Sequence, residues 1–177
     1  MERLFLALTF FTISSCELPN LIQADRYIEP EPIEAELKTE VYKDVWARID
    51  ASSSIQRDGL DEETLRYVDL YLSNPAQFSR LIEKGQYFIY FVLEELEKYR
   101  LPPELALLPY IESNYDPFSI SASGAMGIWQ FMPATARIYG LQDTWWYEQR
   151  HDPLVSSRAA VRYLAYLHNR FNKEITY

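Results

Sequence analysis

Apolar residues in this chain recur every three or four positions, and no run of them alternates convincingly with period two. Helices are therefore the one regular element the pattern supports. Leu37, Val41, Val45 and Ile49 form one stripe. After a polar break over 51–59, Asp61 stands where a helix cap belongs, ahead of Leu65, Val68 and Leu72. Asn74-Pro75 restarts the chain as a cap followed by a first-turn proline, and Gly85 can close that short helix. Over 86–100, Ile89, Val92, Leu93 and Leu96 share one face, with Glu94, Glu95, Glu97 and Lys98 on the other. Leu101-Pro102-Pro103 breaks that helix and opens the next, which leads to Glu112. A last helix over 156–172 carries Ala160, Leu164, Leu167 and Phe171. The sequence predicts an all-α fold.

Three of the five glycines (Gly124, Gly127 and Gly140) fall within residues 124–140. The segment SISASGAMGIWQF (119–131) is thus expected to be irregular, with small residues that let backbones approach closely. It follows the stretch PYIESNYDP (109–117), where Glu112 ends an apolar run and Asp116-Pro117 breaks the chain. A carboxylate at a helix end beside such a loop is either a solvated surface residue or a proton donor facing a cleft. Unpaired carbonyls at the helix end and the apolar flank Leu107, Leu108 and Ile111 would both raise its pKa. A carboxylic acid kept protonated near neutral pH can protonate a glycosidic oxygen. Glycosidases ordinarily pair that acid with a second carboxylate. Asp116 lies one turn on, but Pro117 draws it into a turn, where Asp serves as a cap. The residues alone leave both readings of Glu112 open.

Counts exclude several chemistries. The net charge of −9, with no cluster of Lys and Arg, speaks against a nucleic-acid partner. A single cysteine rules out a disulfide framework and a thiolate metal cluster. His151 and His168, the only two histidines, lack metal-hydrolase spacing, and there is no Gly-rich phosphate loop. No cofactor and no metal are expected.

The amino terminus reads as a separate device. MERLFLALTFFTISSC has one Arg and then an apolar run from Leu4 to Ile13, far short of the roughly 20 residues a spanning helix needs. Ile13-Ser14-Ser15-Cys16 resembles the bacterial lipobox, in which the cysteine becomes the lipidated first residue. The plainer alternative is an ordinary cleaved signal. Residues 1–15 are read as a lipoprotein signal peptide and 16–36, acidic and Pro-containing, as a tether. Glu17 after the cysteine favours the outer membrane, facing the periplasm.

PELALLPYIESNYDPFSISASGAMGIWQFMPATARIYGL (103–141) resembles the catalytic core of the lytic transglycosylases, with their goose-type lysozyme-like fold. TWWYEQRHDP, together with the helical segment 72–102, resembles the membrane-bound D group of that family. The likeness runs from about residue 41 to 172. It implies cleavage of the bond between N-acetylmuramic acid and N-acetylglucosamine in peptidoglycan glycan strands, without water. Glu112 matches the family's sole acid/base, which protonates the glycosidic oxygen and then takes the proton of the muramoyl C6 hydroxyl as a 1,6-anhydro ring closes. An internal nucleophile thus replaces the second carboxylate. Ser113 completes the Glu-Ser motif. Ser121, Gln130 and Met132, at 9, 18 and 20 residues past the acid, match positions lining the sugar cleft. Trp129 stands where many relatives carry Met. Trp145 and Trp146 are read as core or cleft-wall residues rather than specific ligands, Phe131 and Met132 equally as core or as residues that touch a sugar, and His151 as structural.

Residues 37–100 are read as an N-terminal helical region and 101–177 as a partial catalytic domain. In the family an AAYNAG-type segment, whose Tyr sits beside the acid, follows the helix matched by 156–171. NKEITY stands there instead, and Tyr177 does not align with that Tyr. The expectation is a fragment or an incomplete module, with exposed apolar faces and poor stability alone. A hydrolytic muramidase and a non-catalytic, lipid-anchored glycan-binding protein are the alternatives.

Overall fold

The computed structural model describes residues 31–32, 42–53 and 60–174 of the chain. Cys16, the signal segment 1–15, nearly all of the tether, Leu37, Val41 and Tyr177 lie outside the described residues. Among those described, the regular elements are helical: α1 (Val45–Ser52), α2 (Glu62–Leu72), α3 (Pro75–Gly85), α4 (Ile89–Lys98), a 3-10 turn (Pro103–Leu107) running into α5 (Leu108–Ser113), α6 (Pro133–Ile138), a 3-10 turn (Gln149–His151) and α7 (Pro153–Glu174). Three isolated antiparallel bridges are the only β pairing among them. No described helix is long and apolar enough to cross a membrane.

Side-chain caps set most helix starts. Asp44 accepts from the Ala47 amide at 2.9 Å, Asp61 from Thr64 at 2.7 Å and Asn74 from Gln77 at 3.2 Å. Asp152 accepts from Leu154 and Val155 at 2.9 and 3.0 Å, ahead of Pro153, so α7 starts three residues before the expected position. The helix expected over 86–100 is confined to Ile89–Lys98, after a turn at 86–88. The stretch leading to Glu112 is 3-10 before it is α, because Pro109 has no N–H to extend an α-helical ladder backwards.

The core lies between α4 and α7. Ile89, Val92, Leu93 and Leu96 meet Ala159, Ala160, Val161 and Leu164, with Trp129, Phe131 and Ile128 filling the adjoining space. The alanines of α7 let the two helices approach closely. One reading of the sequence is corrected here. Glu95, assigned to the polar face of α4, is buried and bonded to Lys98 at 2.7 Å, with Arg158 of α7 at 3.5 Å. Packing of α7 across that side of α4 covers the carboxylate and supplies a cation for it.

The α2–α3 hairpin joins the core only through the end of α3, where Leu81 and Ile82 pack against it. Leu65, Val68 and Leu72 of α2 are exposed. Gly85 has a second role besides ending α3. A Cβ there would lie 2.2 Å from Tyr110 Oη and 2.9 Å from Tyr115 Cδ2. Gly85→Ala is expected to cost about 1–3 kcal/mol through overpacking, read as a lower Tm.

Candidate active site

Glu112 sits in the last turn of α5, half-buried. Burial pushes its carboxyl up to about 7. Of the expected flank, Leu107 and Leu108 are half-buried, whereas Ile111 is exposed and shields nothing.

The helix stops abruptly after the acid. Asn114 and Tyr115 are both left-handed, with φ of 55° and 57°, and their amides donate back to Tyr110 and Pro109 at 3.2 and 3.0 Å. For a residue as bulky as Tyr115 this conformation is strained. The surroundings enforce it: Tyr115 is buried, its hydroxyl donates to Ala106 O at 2.7 Å, and its ring meets that of Tyr110 at 4.6 Å. Tyr110 in turn donates to Ile82 O at 2.9 Å. The strain lies within three residues of Glu112 and fixes where the acid's helix ends. Asp116 serves the turn, as expected, accepting from the Phe118 amide at 2.9 Å.

The loop 119–131 is irregular and folds back on this helix end. Ser113 Oγ reaches Pro109 O at 3.3 Å and donates to Ile128 O at 2.9 Å, tying the residue next to the acid to the loop. Ser113→Ala is expected to cost roughly 1 kcal/mol, measurable by thermal unfolding. Ser121 Oγ accepts from the Ala125 amide and pairs with Ser123 Oγ, both at 3.0 Å. Gln130 is buried at φ 47°, its Nε2 donating to Gly127 O at 2.9 Å and Ser119 O at 3.3 Å. Met132 is half-buried and leads into α6. Phe131 is fully buried, and Trp129 is core as well, its indole N–H donating to Ser157 Oγ at 2.8 Å.

The residue that organises this loop was not singled out in the sequence. Arg150 is buried and forms a two-pronged pair with Glu148, at 2.9 and 2.6 Å. Its Nη1 donates to Gly124 O at 3.1 Å and Phe131 O at 3.3 Å, the two ends of the glycine-rich turn. The Arg150 hydrogen bonds hold Glu148 below the usual carboxylate range despite partial burial. Gly127 meets the same segment: a Cβ there would fall on the Arg150 carbonyl oxygen, and its φ is +77°. His151 adds a bond from Nδ1 to Pro117 O at 2.6 Å, a structural role as expected. The one available signal was the Glu-x-Arg spacing in YEQRHDP. Trp145 and Trp146 depart from the core reading, since both are largely exposed on the hairpin 142–149. Among the described residues no group of His, Cys, Asp and Glu could hold a metal ion.

Comparison with known proteins places this arrangement. The family model described as "Transglycosylase SLT domain" matches residues 90–177, from the start of α4 onward. A protein of Alteromonas sp. (strain M-1) named for tributyltin chloride resistance is 40% identical over 89 residues, covering 50% of this chain and 43% of that protein. Membrane-bound lytic murein transglycosylase D of Escherichia coli (strain K12) is 32% identical over 132 residues, covering 73% of this chain and 28% of that protein. The chain thus spans less than half the length of each of these relatives. With the Glu-Ser helix end, the glycine-rich turn and the α4–α7 core all inside the matched region, the chain belongs to the transglycosylase SLT domain family.

Proposed function

We propose that the chain is a peptidoglycan lytic transglycosylase that uses Glu112 as its only acid/base. The observation that carries this reading is a half-buried carboxyl at a helix end within the region the transglycosylase model matches, which burial pushes up to about 7. At that value the side chain is substantially protonated at neutral pH and can also take a proton back. In the first step the Glu112 acid gives its proton to the glycosidic oxygen as the bond from C1 of N-acetylmuramic acid to that oxygen breaks. In the second, the C6 hydroxyl oxygen of the same sugar bonds to C1 and its proton passes to the Glu112 carboxylate. The acid is regenerated, no water is consumed, and a 1,6-anhydro end is left.

Ser113 holds the acid's helix end to the loop. Ser121, Gln130 and Met132 line the sugar cleft. The nitrogen of the Gln130 amide is committed to loop carbonyls, so its Oε1 is the atom suited to accept from a sugar acetamido N–H. Cys16 carries the lipid that anchors the protein to the outer membrane, facing the periplasm, with 16–36 as the tether.

Mass spectrometry of the soluble products from purified peptidoglycan tests the reaction. Anhydro-muramoyl ends are the expected result. Reducing ends would replace the transglycosylase with a hydrolytic muramidase. Binding without any product would leave a glycan-binding protein.

A further inference from the structure

Two indoles stand in water on a hairpin that is otherwise fully tied down. Trp145 is 88% exposed and Trp146 72%, their rings edge to face at 4.6 Å. Aromatic side chains of this size are seldom left so bare, because each holds a large apolar area out of contact with anything. The exposure does not come from a loose backbone. Thr144 Oγ1 donates to Tyr147 O at 3.0 Å and accepts from the Tyr147 amide at 3.1 Å. Gln142 N donates to Gln149 Oε1 at 2.7 Å, and Gln149 N to Gln142 O at 3.0 Å. Tyr147 Oη donates to Asp152 at 2.8 Å, which fastens the hairpin to the start of α7. The hairpin is built to present these rings.

The rings border an open groove of about 670 Å³ that includes Phe118, His151 and Leu154. Phe118 is itself exposed and belongs to the turn that follows Glu112, a turn pinned by the His151 bond to Pro117. One wall of the groove and the candidate active site are therefore parts of one rigid segment. Charge narrows the occupant. The groove lining includes Glu148 and Asp152 and no Lys or Arg, and the chain carries a net charge of −9, so nucleic acid and anionic lipid find no cation there. The C–H faces of a pyranose ring carry no charge, meet no such penalty and stack on indole.

We propose that Trp145 and Trp146 form a sugar-stacking platform, a second glycan-binding surface beside the bond-cleaving site, which grips the peptidoglycan strand. The proposal rests on the reading of peptidoglycan as substrate. It is tested with the full chain carrying Glu112→Gln, so that the probe is not consumed. Binding to purified peptidoglycan sacculi is measured with and without Trp145→Ala/Trp146→Ala, with Tyr67→Ala, an exposed ring of α2 that does not line the groove, as control. The double variant is expected to bind about tenfold or more weakly, the size of one lost stacking contact, while Tyr67→Ala binds as its parent does. Equal binding by the double variant overturns the platform. So does Trp-dependent binding to neutral phosphatidylcholine vesicles with sacculus binding unchanged, which would assign the rings to a membrane surface. The two readings fail separately: anhydro products from the Glu112 protein alongside Trp-independent binding remove the platform alone. Absence of both products and binding removes both.

Discussion

Glu112→Gln is expected to abolish release of anhydro-muramoyl products, with a loss of at least about 10³-fold in kcat. A single general acid or base typically supplies 10²–10⁴-fold, and in the proposed mechanism one carboxyl performs both proton transfers with no second carboxylate to share them. Glutamine keeps the shape and can neither give nor take the proton. A variant retaining a tenth of the activity would remove Glu112 from the mechanism. The same substitution should act on stability in the opposite direction. The native pKa, about 7, lies above the ordinary carboxyl value of 4.5. The folded state therefore prefers the protonated form, and this contribution to stability is complete below about pH 4.5 and lost as pH rises through 7. Above that, wild type holds a charge that burial disfavours, costing roughly 1–2 kcal/mol once its partial exposure to solvent is allowed for. Glu112→Gln should then melt a few degrees higher than wild type at pH 8 and show no such gain at pH 4. Tm measured against pH for both proteins decides this, and a gain independent of pH would mean that burial does not set the acid's pKa.

Arg150→Met is expected to be the most damaging substitution away from the acid. It leaves the partly buried Glu148 carboxylate without its cation and the carbonyls of Gly124 and Phe131 without their shared donor. Removing one partner of a buried ion pair costs about 3–5 kcal/mol, a large part of the total stability of an ordinary domain. A Tm lower by on the order of 10 °C is the expected reading. The effect should reach catalysis as well, because the freed turn includes Ile128, whose carbonyl holds Ser113 beside the acid. Even below the melting range, kcat should fall about 10²-fold, the scale associated with misplacing a reacting group by an ångström. Arg150→Lys should rescue little, since an ammonium cannot supply the flat fork that meets Glu148 on one side and two carbonyls on the other. Full activity with Lys would show that charge alone, and not the fork, orders the loop.

The helices were legible wherever their signals were local. Asp61, Asn74 and Pro75 marked helix starts because a cap is decided by a side chain and an amide a few positions away. The apolar spacing around Val92 and Ala160 likewise reported the two helices that meet in the core, and the glycines at 124 and 127 announced an irregular turn. Glu112 at the end of an apolar run was visible for the same reason. Where the sequence misled, a distant segment had intervened. Glu95 looked solvated until α7 covered it. Trp129 and the Trp145–Trp146 pair, all tryptophans in one region, went to opposite environments.

The sequence by itself determined most of the helical elements, the caps at Asp61 and Asn74 and the place of Glu112 at a helix end. The tertiary structure alone decided the burial that lifts the Glu112 pKa, the Arg150 fork that closes the glycine-rich turn and the exposure of the two indoles. The division follows from range: caps and periodicity act through bonds a turn apart, whereas desolvation and ion pairing depend on which remote surface displaces water.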